Sequence, residues 1–147
     1  MKIHNNHTEI NKIPNLSGVY CCYNERDELV YVGRSKQLKY RLSQHQSAFS
    51  KTEPHIKRIM DFNADVNHQI LYSVDVILNC PLVDLEWGNI SEITLHLISN
   101  IEEIERQLIQ LHQPIYNREF IKIPQNILQL YEKCNTLSNK IVNSVGW

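Results

Sequence analysis

Gly18-Val19-Tyr20-Cys21-Cys22-Tyr23 and Leu29-Val30-Tyr31-Val32-Gly33 are two runs rich in β-branched and aromatic residues, separated by the polar cluster Asn24 to Glu28. Runs of that composition favour a pleated backbone, and a short polar link between two of them predicts an antiparallel hairpin. Gly18 and Gly33 flank the pair, at positions where a side chain would obstruct a backbone bend or a ligand.

Working outward, Ser35 is a fitting N-cap for a helix from about Lys36 to Gln46, with Leu38 and Leu42 at helical spacing. Arg41 and His45 stand one turn apart in it and share a face. Pro54 is expected to open a second helix through Ile56, Ile59, Met60 and Phe62. Ile70 to Leu78 reads as a strand, Pro81 to Asn89 as a loop, and Ile93 to Ile98 as a further strand. Asn100 then caps a helix whose core face is expected at Ile101, Ile104, Leu108 and Leu111, ended by Pro114. Pro124 opens a last amphipathic helix over about Gln125 to Val142. Residues 1–13 read as a loose arm or a pairing edge.

The chain of 147 residues fits one domain with a real core, and 42% hydrophobic with 21% charged residues is a globular balance. No apolar run approaches the ~20 residues that span a bilayer, and the first residues are too polar for a secretory leader, so a soluble cytoplasmic protein is expected. Its four cysteines form no Cys-x-x-Cys pair, which speaks against a zinc knuckle and for reduced thiols used as small hydrophobes. His4, His7, His55, His68, His96 and His112 lack paired metal spacing. A net charge of −1 argues against coating nucleic acid through bulk charge. It leaves room for a local cationic groove, because Arg34, Lys36, Lys39 and Arg41 follow one another directly after the hairpin.

Gly18-Val19-Tyr20 and Tyr31-Val32-Gly33, with Arg34-Ser35-Lys36, Leu38, Arg41, Leu42 and His45 after them, resemble the GIY-YIG nuclease family. A third segment, Glu105-Arg106-Gln107-Leu108-Ile109 followed by Pro114 and Asn117, is similar to that family's metal-binding helix and closing asparagine. The wording is closest to the incision modules of bacterial nucleotide-excision repair. The resemblance covers about 16–118, with an unusual insertion at about 51–89 and a C-terminal helical extension over 119–147. It implies an α/β (α+β) fold: a small central, mainly antiparallel sheet of three to four strands flanked by helices, the family's third strand being Ile93 to Ile98.

The resemblance further implies a metal-dependent DNA endonuclease. Phosphodiester hydrolysis needs an activated water, charge stabilisation at phosphorus and help for the leaving oxygen. By spacing alone Glu105 is an ordinary solvated helix glutamate; by resemblance it holds one divalent ion, Mg²⁺ or Mn²⁺, a hard cation suited to a carboxylate. Arg41 becomes the phosphate clamp through its planar guanidinium fork. Tyr20 and Tyr31 become the base and its tuning or relaying partner, in either assignment, and His45 a base, relay or phosphate donor. Arg34, Lys36 and Lys39 are expected at the substrate phosphates, although relatives often carry lysine where Arg34 stands. Asn117 is expected to tie the following segment back to the site. Tyr72, Trp87 and Trp147 suit base stacking and simple packing equally well. The rival reading is a catalytically inactive or regulatory nucleic-acid-binding module of the same fold, and a homodimer through the C-terminal helix or the insertion is compatible with either.

Overall fold

The computed structural model describes residues 1–60, 79 and 81–117. Four strands, β1 (Lys2–His4), β2 (Gly18–Asn24), β3 (Leu29–Ser35) and β4 (Ile90–His96), form one antiparallel sheet in the order β1-β4-β2-β3. The expected hairpin is β2–β3, with Tyr20 opposite Gly33 and Cys22 opposite Tyr31. The strand expected at Ile93 to Ile98 runs earlier, and pairs its Leu95 with Tyr20. The fourth strand comes from the N-terminal residues: Ile3 lies opposite Ile93, so residues 2–4 are a pairing edge rather than a loose arm. The expected strand Ile70 to Leu78 and the helix Gln125 to Val142 lie outside the described residues.

Because strand side chains alternate between faces, the β2 run serves two layers. Tyr20 and Cys22 point into one core with Leu38, Leu42, Trp87, Ile93 and Leu95, while Val19 and Cys21 join Val32 and Ile101 in the other. Helix α1 (His7–Lys12) and helix α2 (Leu38–Met60) cover the first face. Leu38 and Leu42, both fully buried, are the anchors of α2, and truncating either to alanine would cost about 2–5 kcal/mol. The Ser35 hydroxyl accepts the Gln37 N–H at 2.9 Å in the turn that enters α2.

Helix α2 is longer than its sequence suggests. Pro54 lies inside it and does not open a second helix. A proline there removes one backbone donor and crowds the preceding turn, a cost of about 3 kcal/mol that the surrounding helix carries. The stretch 81–89 is also more ordered than a loop. It contains a one-turn helix, α3 (Leu82–Leu85), and a 3-10 turn at Trp87–Asn89 that buries Trp87 in the first core.

Helix α4 (Ile101–His112) packs on the opposite face through Ile101, Ile104, Leu108 and Ile109. Leu111, expected in that stripe, is 75% exposed, and Ile109 takes the place. A left-handed residue at Gln113 ends α4 before Pro114, and a short 3-10 turn, Ile115–Asn117, returns the chain to β3.

Candidate active site

Tyr20 is held by its ladder partner. A Cβ at Gly33 would collide with the Tyr20 ring, so only glycine lets that ring lie across β3. The Tyr31 ring lies beside it, with centroids 5.9 Å apart. The Tyr20 hydroxyl meets His45 Nε2 at 2.7 Å, and His45 Nδ1 meets Asp84 Oδ1 at 2.6 Å. Trp87 stacks on the imidazole at 4.6 Å, which makes it part of the packing around His45 rather than a base-stacking surface. His45 itself is completely buried, at 0% exposure. One turn earlier, the Arg41 Nη1 donates to Gln44 Oε1 at 3.3 Å, and the charge of Arg41 acts on both tyrosines.

Burial pushes the Tyr20 phenol well above its ordinary pKa, reinforced by Tyr31 and Cys22 and opposed by Arg41. Burial raises Tyr31 as well; the neighbouring Tyr20 hydroxyl and the charge of Arg41 pull it back, and Cys22 and the carboxylate of Glu105 raise it again. Neither phenol is a base at neutral pH without a group that takes its proton.

Glu105 approaches from the other layer. It sits on α4, beside the stripe that packs on Val19, Cys21 and Val32. Arg34, on the same face of β3 as Val32, bridges two acids: its Nη1 is 3.5 Å from Glu102 and its Nε 3.8 Å from Glu105. These residues line a groove with Glu103, Arg106 and Ile109. Burial raises the Glu105 pKa, Arg34 opposes that, and Glu102 adds to it.

The site residues therefore form two clusters. Tyr20, Tyr31, Arg41 and His45 lie on the α2 face of the sheet, and Arg34 and Glu105 on the α4 face. Both adjoin β3, the outermost of the described strands, with Tyr31 on one face of it and Arg34 on the other. Asn117 closes that edge with a double bond to the Val32 backbone. Lys36 lines a separate groove with Ser17, Ser99, Asn100 and Glu102, and Lys39 is half-buried in the first turn of α2. Sequence reasoning missed Asp84. It lies 39 residues from its partner, in a stretch that reads as loop, and its only local signal is an acid set among Leu82, Val83 and Leu85.

A hard divalent ion fits this arrangement. Among the described residues no group of three or more His, Cys, Asp or Glu side chains gathers. The Glu105 carboxylate faces a groove, and the 3.8 Å separation from Arg34 Nε is too long for a hydrogen bond that would occupy its lone pairs. One carboxylate with water and phosphate oxygens is a donor set for Mg²⁺ or Mn²⁺ and not for zinc.

Residues 16–75 match the model of the UvrC-like GIY-YIG domain, and the likeness read from the tripeptides is thereby shown for that segment. Glu105 and Asn117 lie beyond it. UvrABC system protein C of Actinobacillus pleuropneumoniae, from strain L20 and from strain JL03, is 37% identical over 59 residues, which are 38% of this chain and 10% of that protein. The matched segment thus spans a tenth of the length of these relatives. The magnesium-bound GIY-YIG N-terminal endonuclease domain of UvrC from Thermotoga maritima aligns with 76% of this chain and 93% of its own, at 18% identity and a TM-score of 0.46. A point mutant of that domain, bound to its catalytic divalent cation, aligns with a TM-score of 0.43 and 16% identity. Among the described residues no helix is long and apolar enough to cross a membrane.

Proposed function

We propose that this chain is a cytoplasmic, metal-dependent DNA endonuclease that hydrolyses phosphodiester bonds by in-line attack of an activated water. The observation that carries the reading is the cluster on one face of the hairpin, where the Tyr20 hydroxyl lies 2.7 Å from His45 Nε2 with the Tyr31 ring beside it, next to the strand whose Arg34 lies 3.8 Å from Glu105. Arg41 would take the phosphate oxygens through its fork and offset the charge that grows on them. Tyr31 and Tyr20, backed by His45, would accept the proton of the water. Glu105 would hold one Mg²⁺ or Mn²⁺, which supplies Lewis-acid polarisation of a phosphate oxygen when bound. Arg34, Lys36, Lys39 and Asn117 would position the strand around that centre.

Incubation of the full chain with supercoiled plasmid and with branched DNA, with and without Mg²⁺, tests this. Metal-dependent nicking with defined 3′ and 5′ ends is expected. Tight DNA binding with no cleavage under any metal would point instead to a binding module. Light scattering would test a homodimer, whose expected surfaces, the insertion and the C-terminal helix, fall largely outside the described residues.

A further inference from the structure

We propose that Asp84 is the positioning residue of a buried proton relay running from Tyr31 through Tyr20 to His45, a role that rests on the nuclease reading above. An ionised carboxylate can only accept hydrogen bonds. With Asp84 Oδ1 at 2.6 Å from His45 Nδ1, that nitrogen must carry the hydrogen. The other nitrogen of a neutral ring is then bare, and the Tyr20 hydroxyl, 2.7 Å from Nε2, must donate to it. The Tyr20 oxygen keeps its lone pairs for its neighbours, the Arg41 guanidinium and the Tyr31 phenol, whose ring centroid lies 5.9 Å from that of Tyr20. Asp84 thus orients the protons of both His45 and Tyr20 although it touches only the first of them. Trp87, two residues past the end of α3, stacks flat on the imidazole with 19° between planes and holds it in this orientation.

The proton balance closes. An O–H bond of the attacking water breaks and its proton goes to the Tyr31 oxygen. The Tyr31 proton moves to the Tyr20 oxygen, and the Tyr20 proton to His45 Nε2. The electron pair left on the water oxygen forms the new bond to phosphorus, while the bond to the leaving oxygen breaks with its pair, and that oxygen takes a proton from solvent. His45 ends as imidazolium against the Asp84 carboxylate, a compensated pair inside the first core, and then returns its proton to solvent through the same groups. Tyr20 is only 1% exposed, so it meets water through Tyr31 and not directly.

The test begins with histidine-labelled protein, metal-free and DNA-free, at neutral pH. Nitrogen NMR is expected to show His45 with Nδ1 protonated and Nε2 bare, and Asp84→Asn is expected to abolish that preference. A wild-type ring protonated on Nε2, or one averaging freely, overturns the proposal even if no variant folds. With metal and DNA, Asp84→Asn is expected to slow single-turnover cleavage about 10²-fold without weakening DNA binding, and to add nothing in a His45→Gln background. A wild-type rate in Asp84→Asn, or two penalties that simply multiply, also overturns it. If the wild-type chain cleaves nothing, the nuclease reading fails, while the NMR result still decides whether Asp84 sets the state of His45.

Discussion

Asn117 grips Val32 by both of its backbone groups: the Val32 N–H donates to Oδ1 at 2.7 Å, and Nδ2 donates to the Val32 carbonyl at 2.8 Å. The side-chain amide thereby satisfies the β3 backbone on the side away from β2, next to Tyr31. Asn117→Ala should lower stability by about 1–3 kcal/mol, the net worth of two such bonds. A shift of the urea midpoint at unchanged slope would show it. Asn117→Asp should do no better, because it loses the donor and sets a charge against the Val32 carbonyl.

Glu105→Ala should reduce metal-dependent cleavage at least about 10²-fold while DNA binding and the unfolding midpoint change little. The side chain lies at the flank of the α4 stripe and not inside it, so its loss leaves the packing of Ile101, Ile104 and Leu108 intact. Equal single-turnover rates for the two proteins at saturating Mg²⁺ would exclude the metal role.

Arg41→Ala should slow turnover about 10²-fold, and Arg41→Lys should restore little of it. Lysine keeps the charge but loses the planar fork that meets two phosphate oxygens at once. Full activity in the lysine variant would mean that Arg41 supplies charge alone.

Gly33→Ala should be worse than its size suggests. The added methyl must displace the Tyr20 ring. Overpacking of this kind costs about 1–3 kcal/mol, and it also disturbs the contact between Tyr20 and His45. Thermal melts should show the loss of stability, and the His45 nitrogen resonances should show the displacement.

Alkaline pH should destabilise the fold in a way that particular groups explain. Burial holds the Tyr20 phenol and the Cys22 thiol well above their ordinary values, and Cys21 is pushed up to about 11. Such groups stay protonated in the folded chain after they have ionised in the unfolded one. The folded state then binds more protons, so stability is complete below about pH 9 and falls as pH rises past the ordinary thiol and phenol values. Tyr20→Phe should remove its share of that fall. A denaturation series across pH 8 to 11 with parallel slopes for variant and wild type would contradict this.

The hairpin, the helix after Asn100 and the strand before it were legible because each has a local signature: period-two runs, glycine ends, acids in a first turn; the Asn100 side chain itself makes no capping hydrogen bond. The gathering of Tyr20, Tyr31 and His45 on one face was legible in the same way, from the hairpin and the helix after it, whereas Glu105 was named by the resemblance alone. Asp84 had no such signature, since its meaning lies wholly in a contact across 39 residues. Pro54 misled because proline usually marks a helix start, whereas here residues on both sides keep the helix going. The division of the site between two sheet faces was also hidden. It follows from register, with Tyr31 opposite Cys22 and Arg34 opposite Val19, and register is a property of the paired strands.

The adjacent thiols of Cys21 and Cys22 point into different layers and are both buried and free. Two neighbouring atoms of the chain thus sample separate compartments of the interior. With Cys80 and Cys134 replaced by serine, alkylation of each thiol would act as a clock for the opening of its own layer. Unequal labelling rates would show which half of the molecule, the one holding His45 or the one holding Glu105, breathes first.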